Sequence, residues 1–291
     1  MSQPPNVSVI VPVYNAQETI GECIHSLLQL NYPKGNLELI FVNNASTDNT
    51  REILSQYSND IQILYEPKKG PAAARNKGVL HARGDVIAFT DSDCVVDKDR
   101  LLRLIPPLED PRVGIVGGAI LSKRPSNKIE RFGEAIHDHD MAINSYKPPA
   151  VITMNWTSRL SVLKEVNLFD EGFTRCEDVD LSYRILQSGY RFAFKPQAVI
   201  YHKNESTYSG LFREGFLHGV YAVQTIKKHR DFLGAFGHRK FNGRSYIAIV
   251  SSLIHCFFGK KSDPSICYFV FNCGKKIGKV VGSIRFWHLD L

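Results

Sequence analysis

The 291-residue chain lacks the glycine-rich cradles that commonly hold phosphates. Neither G-x-G-x-x-G nor G-x-x-x-x-G-K-[ST] occurs, and Gly114–Gly118 and the late GKKIGK both miss the spacing. This argues against a dinucleotide oxidoreductase and against a P-loop NTPase. No C-x-x-C pair or zinc spacing links Cys23, Cys94, Cys176, Cys256, Cys267 and Cys273, so they read as reduced thiols of a cytosolic protein. No apolar run reaches the roughly 20 residues a helix needs to cross a bilayer. No apolar segment of signal-peptide type follows Met1, so secretion is not expected. Without spanning helices to form a channel, processive export is not expected either. Repeats and low-complexity segments are also missing. What remains is 43% apolar and 22% charged, with 21 glycines and 14 prolines, close to the globular average. The length suffices for one large domain or two modest ones.

Charge is unevenly placed. Residues 227–291 carry 12 Lys and Arg against 3 Asp and Glu, whereas the first 226 residues hold 24 against 26. A near-neutral body with a basic tail is not the profile of a nucleic-acid binder, whose basic patch should lie on the folded body. The tail also holds two short apolar runs, Tyr246–Phe258 and the ICYFVF segment at 266–271, near Lys260, Lys261, Lys275, Lys276 and Lys279. That combination suits an interfacial element on an anionic membrane surface. The alternative is a pair of ordinary helices packed on the body. The expected division is therefore a catalytic body at 1–226, with halves at 1–112 and 113–226, and a basic extension at 227–291. The expected location is the cytoplasm, peripheral to the inner face of the cell membrane.

Within the body, Val/Ile-rich runs begin at Val7, Leu37, Ile61 and Asp85, spaced 30, 24 and 24 residues apart. Segments of helical spacing separate them: Ile20, Ile24, Leu27 and Leu28, then Ile53, Leu54 and Tyr57, then Pro71 to Ala82. Short buried strands alternating with helices predict an α/β fold with a doubly wound, mostly parallel sheet. Ser46 or Thr47 is expected to cap the second helix, with Asp48 in the same role, and Pro71 to start the third. A further helix is expected over Val179–Ser188, with Asp180, Arg184 and Gln187 outward and Gly189 ending it. Ligands of such sheets bind at the carboxyl ends of the strands.

Two acidic groups stand where such a sheet would use them. Asp91 and Asp93, in IAFTDSDCVV, follow a strand directly, and hard carboxylate oxygens there suit Mg²⁺ or Mn²⁺ beside a substrate diphosphate. Alone, a D-x-D could equally be a solvated turn. Glu177, Asp178 and Asp180 open a helix, and three acids within four residues exceed what a cap or the helix dipole requires. A general base opposite a metal–diphosphate site is the chemical reading.

With these, VSVIVPVYN at 7–15, ELIFVNNASTDNT at 38–50, GPAAARNKGV at 70–79, VIAFTDSD at 86–93, FDEGF at 169–173 and EDVDLSYRILQSGYRF at 177–192 occur in order. The set resembles the family 2 glycosyltransferases of the GT-A fold, over roughly residues 6–205. The resemblance implies an inverting transfer from a nucleotide diphosphate sugar to a glycan or lipid-linked acceptor, assisted by Mn²⁺ or Mg²⁺. It places Pro12 and Tyr14 in the nucleotide pocket, Asn44 against the base and Arg75 near base and phosphates. Asp91 would contact ribose or metal, and Asp93 would ligate the metal. Asp178 would be the base that deprotonates the acceptor, with Glu177 orienting acceptor or donor. His202 would be a further metal ligand or phosphate contact, with a packed histidine as the alternative.

Many relatives carry Asp-Asp or Asp-Asn where this chain has Asn43-Asn44, which leaves the base preference open. His137-Asp138-His139-Asp140 is expected as a solvated helix face or acceptor-side loop. Cys94 and Cys176 read as buried packing residues, and Trp156 as either a sugar platform or core. Two other functions remain in view. A sugar-nucleotide pyrophosphorylase should have a Gly-, Arg- and Lys-containing loop after the first strand, which PVYNAQET does not supply. A silent nucleotide-sugar-binding scaffold would tolerate loss of the acidic residues, yet all are present.

Overall fold

The computed structural model describes residues 3–237, 251 and 264–290; apart from Ser251, the apolar run 246–258 lies outside the described residues. One compact unit comprises the described residues up to Lys123 together with His137–Lys203. The other comprises Arg124–Ile136 and the described residues from Asn204 on. The boundary expected at residue 226 falls inside a helix, Tyr208–Lys228.

The first unit holds one eight-stranded sheet. Its strands are β1 (Val7–Val13), β2 (Leu37–Asn43), β3 (Gln62–Tyr65), β4 (Val86–Phe89), β5 (Cys94–Val96), β6 (Val113–Ser122), β7 (Trp156–Arg159) and β8 (Arg191–His202). Their order is β3-β2-β1-β4-β7-β6-β8-β5. The first four pair in parallel, as the strand–helix alternation requires. β7 runs antiparallel to β4 and β6, β8 is parallel to β6, and β5 closes antiparallel on β8. Burial divides these strands with period two. Val7, Val9, Val11, Leu39, Phe41 and Ala88 enter one core, and Ile10, Ile40, Val42, Ile87 and Phe89 the other. A strand covered on both faces needs apolar residues at every position, which is why β1, β2 and β4 read as continuous runs rather than alternating ones; β3, at the sheet edge, is largely exposed and corrects the burial expected of the run from Ile61.

The helices of this unit include α1 (Ile20–Leu28), α2 (Thr50–Ser55), α3 (Pro71–His81) and α4 (Arg100–Leu104). In the second unit, α5 (Lys128–Ile136) comes next in the chain. Two more in the first unit are α6 (Leu160–Glu165) and α7 (Glu177–Gln187). Pro71 stands at the first turn of α3, and Gly189 takes a positive φ of 87° just past α7, both as expected. The expectation for Asp180 fails: it is fully buried and pairs with Arg184 at 2.8 Å rather than facing water. An acid on the inner face of a helix is tolerated because its i+4 guanidinium supplies the counter-charge.

The second unit adds α8 (Tyr208–Lys228), α9 (Arg230–Ala235) and α10 (Ser265–Arg285) to α5. Thr207 caps α8, its hydroxyl accepting the amide of Gly210 at 3.1 Å. α8 and α10 run parallel and nearly touch: a Cβ on Gly278 would lie 2.0 Å from the Phe216 carbonyl, and one on Gly219 2.0 Å from that of Lys275. Only glycine permits that approach. The ICYFVF run forms the start of α10, where Cys267 is fully buried with Ile129, Phe132 and Leu211. Among the described residues, no helix is long and apolar enough to cross a membrane.

Candidate active site

The loops that follow β1, β2 and β4 meet at the carboxyl end of the sheet, where the fold places ligand sites. The first two are laced together by reciprocal hydrogen bonds. Asn15 donates its backbone amide to Ser46 Oγ (3.1 Å) and accepts the Thr47 amide (2.8 Å). Ala16 donates to Thr50 Oγ1 (2.8 Å) and Gln17 to Asp48 Oδ2 (3.1 Å), while Asn49 donates back to Gln17 Oε1 (3.1 Å). Ser46 therefore ties two loops together instead of capping α2. Asp48 does part of the expected capping, accepting the Thr50 amide (3.1 Å) and hydroxyl (2.5 Å). Those bonds, together with the one from Gln17, hold the Asp48 carboxyl below its ordinary range against a desolvation that opposes them.

Asn44 corrects an expectation. Its amide nitrogen donates to the carbonyls of Glu66 (2.9 Å) and Lys68 (2.7 Å), and its oxygen accepts the Gly70 amide (2.8 Å). Both donors are engaged in fastening the loop before α3, and the residue is buried, so its side-chain amide is committed to that loop. Pro12 lies within β1, opposite Val42 of β2, rather than in the loop beyond it. Tyr14 is half-exposed, with the Lys69 ammonium 5.8 Å from its ring centroid.

The two aspartates after β4 face different ways. Asp91 turns inward and accepts Arg75 Nη2 at 2.9 Å. Arg75 also donates Nη1 to Glu177 at 2.5 Å, so one buried guanidinium joins the D-x-D loop to the head of α7. Burial opposes its charge, but Asp91 and Glu177 more than offset that and raise its pKa. Arg75 is thus a keystone between carboxylates rather than a free contact for base or phosphate, and Glu177 is committed to it.

Asp93 turns outward, its carboxylate two-fifths exposed, and meets His202 Nε2 at 3.3 Å. Strand pairing makes this contact: Cys94 of β5 stands opposite His202 of β8, and the Lys203 amide donates to the Asp93 carbonyl at 3.2 Å. Although burial raises the Asp93 pKa, the charge and hydrogen bond of His202 outweigh it and hold the carboxyl low. Asp93 lines a cleft of about 320 Å³ together with Tyr14, Glu18, Ser92 and Lys203. Beneath the loop, Cys23 donates its thiol to the Asp91 carbonyl (3.5 Å) and Cys94 to Asp93 Oδ1 (3.7 Å). Burial raises both thiols, so they remain protonated packing groups.

A divalent cation fits this half of the site. A carboxylate and an imidazole converge at an open edge, and among the described residues no third His, Cys, Asp or Glu completes a cluster. Two protein donors leave most of an octahedral shell to phosphate oxygens and water, the way Mg²⁺ and Mn²⁺ are usually held next to a substrate diphosphate.

Asp178 stands one residue beyond Glu177, in the first turn of α7. Cys176, in the left-handed region at φ 62°, turns the chain into that helix; it is half-buried, unlike the fully buried Cys94. The Asp178 carboxylate accepts the Val179 amide (2.8 Å) and, at 3.4 Å, that of Thr153. Burial and the neighbouring Glu177 push its pKa up to about 7, against the pull of Arg75. The loop carrying Thr153 is braced by His139, whose Nδ1 donates to the Gly118 carbonyl (2.8 Å) while Nε2 accepts the Ile152 amide (3.0 Å). Burial lowers His139 to about 4, which keeps it neutral. His137 and His139 are both buried, so the expected solvated face is a structural strut. Trp156 is core: fully buried, its ring centroid lies 4.6 Å from that of Phe89.

Lys203 and Thr153 escaped the sequence reading. Lys203 directly follows His202 and could have been found from the β8 boundary. Thr153 acts through its backbone, which leaves no residue signature.

A family model described as "Glycosyl transferase family 2" matches residues 8–167. Glycosyltransferase AglE of Haloferax volcanii is 31% identical over 204 residues, 68% of this chain and 67% of that protein. The probable glycosyltransferase YdaM of Bacillus subtilis is 28% identical over 229 residues, 74% of this chain and 54% of its own length. The chain thus spans between about half and two thirds of the length of these curated relatives. Among solved structures, the mannosyltransferase PcManGT of Pyrobaculum calidifontis, in complex with GDP-Man and Mn²⁺, shares the fold. Its TM-score is 0.67 at 18% identity, covering 96% of this chain and 87% of that one.

Proposed function

The chain belongs to glycosyltransferase family 2, and from that premise we propose an inverting, metal-assisted transfer of a sugar from a nucleoside diphosphate to a glycan or lipid-linked acceptor. The observation that best supports it is the division of labour among four carboxylates. Asp91 and Glu177 are neutralised on Arg75, Asp93 faces the cleft and meets His202, and the Asp178 pKa is pushed up to about 7. The nucleotide sugar and Mn²⁺ in the mannosyltransferase of similar fold favour the same donor class and cation.

Asp93 and His202 would hold the cation, Mn²⁺ or Mg²⁺, which when bound neutralises the diphosphate leaving group. Tyr14 offers its ring to the nucleotide. Lys203 adds a cation to the diphosphate by exchanging its exposed pair with Glu18 (3.0 Å), a surface contact worth at most about 1 kcal/mol. Asp178 accepts the proton of the acceptor hydroxyl. The freed oxygen bonds to the anomeric carbon while the bond to the diphosphate breaks, its electron pair leaving on the phosphate, and attack from the opposite face inverts the centre. The basic C-terminal region would bring this chemistry to an anionic membrane surface, on the cytoplasmic side where nucleotide sugars are made.

Calorimetry with UDP, GDP, dTDP and CDP, each with and without Mn²⁺, tests the reading. One nucleotide should bind tightly with metal and weakly without it. Asp93→Ala should remove the metal-dependent part, and absence of binding by every nucleotide in the wild-type chain would overturn the proposal.

A further inference from the structure

One face of α10 is exposed and has no counterpart among the described residues of its unit. The side bearing Gly274, Gly278 and Gly282 packs against α8. Ile277, Val280, Val281 and Ile284 recur at helical spacing on another side and are all exposed, Ile284 by 73%. The row continues past the helix end into Trp287, which is 92% exposed.

This indole is held out by an ordered turn. Trp287 adopts a φ of 52°, in the left-handed region that a bulky residue rarely takes. Beyond it the chain folds back. His288 donates its amide to the Ser283 carbonyl (3.0 Å), and buried Asp290 pairs with Lys279 at 2.5 Å. The fold thus buries the aspartate and leaves the tryptophan in water, the reverse of what the hydrophobic effect dictates for a surface that meets only solvent.

We propose that this face docks on an anionic lipid bilayer, with Ile277, Val280, Val281, Ile284 and Trp287 in the boundary between headgroups and acyl chains. The inference rests on reading the C-terminal region as membrane-directed, and it is independent of the sugar transfer. Charge selects the occupant. The segment 227–291 has nine more basic than acidic residues, and Arg285 and Lys276 lie on the same helix as the apolar row. A second copy would bring like charges together, whereas an anionic leaflet attracts them. An amphipathic helix with basic residues and a tryptophan at the level of the headgroups is the geometry of an interfacial element.

The chain carries two tryptophans, and Trp156 is sealed in the core, so a change in emission on adding vesicles reports Trp287. The full chain is titrated with phosphatidylglycerol/phosphatidylcholine vesicles, with pure phosphatidylcholine, and with brominated anionic lipid. A blue shift, quenching by the brominated chains, and at least tenfold weaker cosedimentation with pure phosphatidylcholine are expected. Ile284→Asp should weaken anionic-vesicle binding at least tenfold while leaving nucleotide binding in solution unchanged, and Ile284→Leu should restore it. No shift with anionic vesicles in a protein that still binds nucleotide overturns the inference and spares the enzymatic reading. So does undiminished vesicle binding by Ile284→Asp, which would assign the membrane contact to 246–258. A vesicle-free blue shift that grows with protein concentration would assign the face to a second copy.

Discussion

Asp91 and Asp93 are two residues apart in one loop, and Glu177 and Asp178 are adjacent in one helix, yet each pair is split between two electrostatic environments. Asp91 and Glu177 share a buried guanidinium. Asp93 opens to a cleft beside an imidazole, and half-buried Asp178 stands against a like charge, its ionised form favoured by two backbone amides and the pull of Arg75. The difference teaches that identical side chains acquire structural or chemical roles from their counter-charges. Asp91 and Glu177 share one guanidinium that ties the D-x-D loop to α7, whereas Asp93, beside a histidine at the cleft, and Asp178, beside a like charge, stand in environments suited to a metal and to a proton.

The largest effect should come from breaking the strut side. Arg75→Met removes the charge while roughly keeping the volume and leaves buried Glu177 and partly buried Asp91 without their shared guanidinium. A loss of about 3–5 kcal/mol is expected, read by denaturant melts. A melt within about 1 kcal/mol of wild type would mean that the two carboxylates reach solvent or share a proton, and the contrast would dissolve. Next is the chemical side. Asp178→Asn should lower turnover by about 10²–10⁴-fold while nucleotide binding is retained. Normal turnover would move the base elsewhere.

The pH profile sharpens that point. Asp178 must be ionised to accept a proton, so with a pKa of about 7 the rate should fall roughly tenfold per pH unit below neutrality and level off above it. A flat profile from pH 5 to 7 would show that the carboxyl is not held up. A smaller effect is expected at Asn44, where Ala strips three loop hydrogen bonds. Destabilisation of about 1–3 kcal/mol should appear in melts, with any change in nucleotide affinity following the loop rather than discriminating among bases. Smallest is Lys203→Gln, which should weaken binding of a nucleoside diphosphate a few-fold and leave that of the nucleoside itself unchanged. Equal loss for both would assign Lys203 to the pocket wall.

Much of the first part of the sheet was legible because its signals are local. The three parallel strands that are largely buried, β1, β2 and β4, appear as continuous Val/Ile runs, Pro71 and Gly189 punctuate their helices, and D-x-D and E-D stand directly after a strand and at a helix head. The assignments that changed depended on partners distant in sequence. The resemblance placed Asn44 against the base from its position after the second strand; its partners in the fold are carbonyls more than 20 residues away. Asp180 looks solvent-facing on a helical wheel until Arg184 folds over it. The histidines at 137 and 139 resemble a polar surface because nothing in their neighbours announces that both are buried and that His139 braces the loop carrying Thr153.

The sequence alone determined the strand–helix order over roughly the first 90 residues, the family and the set of acidic residues, since periodicity, turn chemistry and short motifs are written in contiguous residues. The tertiary structure alone decided which carboxylate does what. Arg75 lies 16 residues from Asp91 and 102 from Glu177, and His202 reaches Asp93 only through the β5–β8 pairing. Coulomb interactions act through space at a few ångströms, and that proximity exists only once the sheet has formed.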